Sequence, residues 1–107
     1  MQYKVQIFCP DDEAVINTLI EAASEVGAGQ MGNYTQVAFV TKGKGQWFSG
    51  KGANPHIGKV DKLSKIDEVK IEMVYDGKEI KQLDKAIRKV HPYEEPLIEY
   101  IKTERFG

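Results

Sequence analysis

The stretch VHPYEEP, residues 90–96, sets a histidine, a tyrosine and two adjacent glutamates between two prolines. Imidazole and carboxylate groups bind divalent cations and exchange protons near neutral pH. His91, Glu94 and Glu95 could therefore ligate a metal, with His56 or Cys9 completing the set if the fold brings them close. A plainer role is a rigid turn. Pro92 ends a helix, His91 sits where a helix C-terminus favours a cation, Tyr93 can pack as an anchor, and Pro96 opens a strand. Neither HExxH nor paired CxxC spacing is present, so the structural joint is the stronger reading and a divalent ion the second.

A second chemical stretch is GQWFSGKGANPHIG, residues 45–58. It matches G-x-x-x-x-G-K, but Gly52 stands where a Ser or Thr would hold magnesium, and Pro55 opposes the helix such a loop must open. It is not a phosphate-binding P-loop. Lys51, Asn54 and His56 nevertheless mark a glycine-rich loop that could receive a small ligand through backbone N–H groups. GAGQMG, residues 27–32, follows a helix rather than preceding one, which is the wrong order for a dinucleotide fingerprint; it reads as a helix stop and a tight turn.

The periodicity of the chain places these segments. Alternating residues predict strands over residues 4–8, 35–40, 69–74 and 98–102. Helical spacing of Val15, Leu19, Ala22, Ala23 and Val26 predicts a first helix, with Asp11 to Glu13 suited to its start and Gly27 to its end. Ile80, Leu83, Ile87 and Val90 predict a second, with Asp76 capping it and Glu79 reaching back. The order βαββαβ predicts an α+β ferredoxin-like sandwich, sheet order 4-1-3-2, with two helices on one face. Its top edge then gathers Cys9 to Asp12, the long strand 2–3 connection and HPYEEP. That connection, residues 42–66, is expected to form an extended hairpin arm with an irregular tip. It bears Lys42, Lys44, Lys51, Lys59, Lys62 and Lys65. Ile98, Tyr100 and Val74 are assigned to the sheet face away from the helices, with Trp47 and Phe48 on the arm. Apolar content there favours an oligomer interface over a platform for nucleic-acid bases.

Composition sets the outer limits. The 107 residues suffice for one domain spanning residues 1–107, and 41% hydrophobic content supports a core. A formal net charge of −1 argues for neither nucleic acid nor an anionic membrane as partner. No apolar run reaches the ~18 residues that would span a bilayer. One cysteine and no basic-then-apolar leader make a reducing cytoplasm the expected location.

The motifs G-x-x-G-N-Y at residues 29–34, G-A-N-P-x-I-G at 52–58 and H-P-Y-E-E-P at 91–96 occur in an order that resembles the small inserted domain of the Nif-three-like (Ngg-one-interacting-factor, YqfO-type) family, here as a stand-alone chain. The likeness covers nearly the whole sequence. It implies a fold like the PII signalling proteins and CutA, in agreement with the element order. The dinuclear metal centre of that family lies in flanking domains that have no counterpart here, so no ligand set carries over. PII-like proteins bind ATP with the loop that corresponds to HPYEEP, where Glu94 and Glu95 would repel phosphate by ~1 kcal/mol per close pair. CutA-like proteins are trimers associated with divalent metals. The resulting expectation is a non-catalytic homo-oligomer, a trimer before a dimer. It would bind a protein or small-molecule partner through Lys51, Asn54, His56, His91, Tyr93, Glu94 and Glu95. The alternative is a divalent-metal protein with His56, His91, Glu94 and Glu95 as ligands. No other cofactor and no catalytic residue is expected.

Overall fold

The computed structural model describes residues 2–106. Its elements run β1 (Gln2–Pro10), α1 (Glu13–Glu25), β2 (Phe39–Phe48), β3 (Leu63–Tyr75), α2 (Ile80–Val90) and β4 (Ile98–Thr103). All pairings are antiparallel and the sheet order is β2-β3-β1-β4, the expected 4-1-3-2 read from the other edge.

Strand alternation builds the core. Val5, Ile7 and Cys9 stand opposite Met73, Ile71 and Val69, so these side chains share one face. Leu19 and Ala23 of α1 and Leu83 and Ile87 of α2 close over them in one buried cluster. Each fully buried Ile or Leu contributes about 1.5–3 kcal/mol. Register corrects the assignment of Ile98 and Tyr100: they stand opposite Ile7 and Val5, and therefore belong to the core face. On the helix-free face, Lys4 and Lys70 both pair with Glu72, at 3.2 and 3.7 Å, so its centre is charged. Its apolar residues lie towards the margins, with Phe39 and Ile101 exposed.

Helix ends follow local chemistry in one case and not in the other. Asp12 caps α1, its Oδ1 accepting from the N–H groups of Ala14 and Val15 at 2.9 and 3.3 Å. Gly27 leaves the helix at φ +102°, a conformation that favours glycine. At α2 the expected capping box is absent. Glu79 is the N-cap and makes no side-chain cap bond, while Asp76 accepts from Arg105 Nη2 at 2.9 Å.

β2 begins at Phe39, not at Thr35. Gln36 takes φ +58°, which breaks the extended run, and the Val37 N–H donates to the Gly29 carbonyl instead of a sheet partner. The strand continues through GQWF, residues 45–48, as far as Phe48 opposite Leu63. Because β1 stops pairing at Glu68, residues 63–67 of β3 pair with β2 alone. The expected arm is therefore present as a two-stranded ribbon with an irregular tip, and the molecule measures 48 × 24 × 23 Å.

Candidate functional site

A two-stranded ribbon is marginal in water unless something packs against it. HPYEEP provides that support. Pro92 forces His91 out of helical geometry, to φ −72° and ψ 133°, and α2 ends. His91 is buried and its Nε2 lies 2.8 Å from the Phe8 carbonyl oxygen. Its Nδ1 accepts from the Tyr93 N–H at 3.1 Å. An acceptor at Nδ1 and a carbonyl at Nε2 define the neutral tautomer with hydrogen on Nε2. Burial lowers the imidazole pKa below its usual value; the Phe8 carbonyl opposes that shift and the Arg88 charge reinforces it.

Tyr93 carries the link onward. Its hydroxyl donates to Glu68 Oε2 at 2.6 Å, and burial followed by this bond raises its pKa. Its ring meets Trp47 with centroids 5.6 Å apart at 57°, and His91 at 5.0 Å and 47°. Glu94 reaches the arm's tip, its Oε1 accepting from the Asn54 N–H at 2.8 Å.

Between the arm's root and this loop lies a cleft of about 370 Å³. Phe8, Trp47, Phe48, Ile57 and Leu97 supply its apolar walls, and Glu68, Tyr93, Glu94, Glu95, His56 and Ser49 its polar groups. Ser49 is 4% exposed, and its Oγ has no hydrogen-bond partner among the described residues. A buried hydroxyl without a partner costs free energy unless a ligand or water supplies one. A Cβ at Gly45 would fall 1.8 Å from Glu68 Oε1, so glycine at this position lets the carboxylate lie across the ribbon.

Of the residues expected from sequence, His56, Tyr93, Glu94 and Glu95 line the cleft together. Lys51 and Asn54 do not line it; Lys51 is exposed, and Asn54 contributes its backbone N–H to Glu94. His91 stands behind Tyr93 with both ring nitrogens committed to the backbone, so it directs no free lone pair at a cation. Cys9 is buried in the core, and its thiol is pushed up to about 12, by burial first and then by Glu68. Sequence reading did not select Phe8, Glu68 or Ser49. The available signal for Glu68 was its place in β3 one residue before Val69, which turns it away from the core.

Comparison with known proteins follows the same boundaries. No model of a known protein family matches the chain. A Staphylococcus aureus protein named GTP cyclohydrolase 1 type 2 homolog is 37% identical over 103 residues, which is 96% of this chain. The chain spans only 28% of that relative's length. A Staphylococcus epidermidis protein of the same name matches to the same extent. Among solved structures, a Bacillus cereus protein related to NIF3 superposes with a TM-score of 0.79 at 26% identity, covering 97% of this chain and 26% of that one.

This chain resembles one segment of the Nif-three-like proteins.

The CutA fold likeness also holds. The divalent cation tolerance protein CutA of Archaeoglobus fulgidus gives a TM-score of 0.64 at 16% identity, covering 100% of this chain and 88% of that one. Its Thermus thermophilus counterpart gives 0.70, also at 16%, covering 100% and 88%. At such identity the likeness concerns the fold alone.

Proposed function

We propose that the chain is a non-catalytic binding domain, working as a homo-oligomer, whose ligand occupies the cleft between the arm and HPYEEP. One observation carries this reading: an aromatic-walled cleft of about 370 Å³ that brings Glu68, Tyr93, Glu94 and Glu95 together in its lining. Concave, mainly apolar sites with a few fixed polar groups are the usual form of a small-molecule site. Covalent catalysis would need an activated nucleophile. Ser49 has no base bonded to it, and the Cys9 thiol is buried and held protonated. The activity in the cyclohydrolase name belongs to much longer proteins and is not part of this proposal.

A homo-oligomer is supported by the open edge of β2 and by exposed Phe39 on that strand and exposed Phe48 and Leu63 on the arm; placing a trimer before a dimer rests on the family resemblance alone. The site residues of the proposal are His56, Tyr93, Glu94 and Glu95, joined by Trp47, Ser49 and Glu68.

Elemental analysis of protein purified without a tag separates this reading from a metal site. The expected result is far less than one divalent ion per chain. One ion per chain, lost in both Glu94→Gln and Glu95→Gln, would replace the small-molecule reading with a metal-binding one.

A further inference from the structure

The lining of the cleft has a definite chemical sign. It contains three carboxylates, Glu68, Glu94 and Glu95, and neither lysine nor arginine. The arm's lysines lie outside it: Lys42 pairs with Asp11 at 3.6 Å, and Lys44 pairs with Asp67. Arg88, which bonds Asp84 through Nε at 2.6 Å, interacts electrostatically with Glu95. Among the described residues, no ion pair joins Glu68 or Glu94 to a lysine or arginine.

Both of these carboxylates are already oriented. Tyr93 holds Glu68, and the Asn54 N–H holds Glu94. Less side-chain freedom is then lost on binding. Beside them, Trp47 and Tyr93 present two aromatic rings inclined at 57°. Aromatic faces attract cations, and more strongly where water is excluded. The polar lining is therefore rich in acceptors and the apolar lining rich in π-surface.

We propose that the cleft receives a small organic cation, an amidinium, guanidinium or ammonium group attached to a flat apolar body. This rests on the cleft being the ligand site and adds the class of ligand. A hard divalent ion fits less well. Such ions take six or more converging oxygen ligands, or an octahedral set that retains water. Among the described residues no group of three or more His, Cys, Asp or Glu is arranged to hold a metal. An organic cation uses the carboxylates for its N–H donors and the rings for its body.

Trp47 is the single tryptophan and lines the cleft, so its fluorescence reports occupancy directly. The probes are benzamidinium, the neutral isostere benzamide, and benzoate. Benzamidinium should change Trp47 emission saturably, benzamide should bind on the order of tenfold more weakly, and benzoate more weakly still. Glu68→Gln keeps an acceptor for Tyr93 but removes the charge, and should weaken benzamidinium severalfold while benzamide is unchanged. Glu94→Gln provides the same comparison if Glu68→Gln folds poorly. Equal binding of benzamide and benzamidinium, or indifference of benzamidinium to both variants, overturns the cationic assignment and leaves the cleft reading standing. No saturable change with any of the three probes overturns both.

Discussion

His91 uses both ring nitrogens on the backbone, accepting from Tyr93 and donating to Phe8, and only its neutral form can do both. Its pKa is lowered mainly by burial. The unfolded chain therefore binds more protons than the folded one between the lowered value and the ordinary 6.5. Stability is fully present above 6.5 and falls as the pH drops through that value towards the lowered one. Denaturant melts should show a loss of stability on going from about pH 7.5 to about 5.5, and His91→Gln should flatten that slope. An equal slope in the variant would place the titration elsewhere. Tyr93 permits a graded comparison. Tyr93→Phe removes the bond to Glu68 and should cost about 1 kcal/mol, because the site is only partly buried. Tyr93→Ala also removes the ring from Trp47 and should cost on the order of 2 kcal/mol, while Glu95→Ala should stay within about 0.5 kcal/mol. Equal melts for Tyr93→Ala and Glu95→Ala would contradict the anchoring role. The role of the prolines was legible in the sequence, because proline restricts its own φ and the residue before it whatever surrounds them. Glu68 was not, because its significance arises only when β3, β2 and the loop after α2 meet.

At the scale of elements, the two helices and three of the four strands were readable from periodicity, since each has one face that must be buried. β2 was misplaced at its start. Its β-forming residues, YTQVAFVT at 34–41, gave a strong local signal, but the turn around Gln36 at φ +58° overrides it. The cap of α2 was misread for a related reason: Asp76 has a competing partner in Arg105, far away in sequence. Because Glu79 makes no cap bond, Glu79→Ser should stabilise the protein by about 0.5–1 kcal/mol in thermal or denaturant melts, and an unchanged midpoint would argue against an open cap. The arm allows a sharper test. Gly45→Ala places a methyl group where the Glu68 carboxylate lies. The carboxylate is the end of a flexible side chain and can swing away, so the fold should survive. The Tyr93–Glu68 bond should not, at a cost of about 1 kcal/mol. Gly45→Ala and Tyr93→Phe should therefore be less than additive when combined; full additivity would separate the two contacts.

For the whole molecule, the fold arranges three distant segments, the end of β1, the arm and HPYEEP, around one cleft. Sequence topology places them at one edge of the sheet, which made their meeting foreseeable. The depth and acidity of the cleft depend on side-chain packing and were not. The open β2 edge and the exposed apolar ribbon lead to a second expectation: light scattering at micromolar concentration should report an assembly of identical chains, and a monomer would contradict it. Carboxylates in the cleft also predict that calorimetry will detect no micromolar binding of ATP. The central claim is that this cleft is the ligand site. The most direct measurement maps a charge-varied set of aromatic fragments onto isotope-labelled protein by NMR. The account predicts shifts concentrated on the Trp47 indole and the backbone amides of Ser49, Glu68 and Tyr93, lost in Trp47→Ala. Shifts centred elsewhere, on the charged centre of the helix-free face or on the β2 edge, and unchanged by Trp47→Ala, would contradict it.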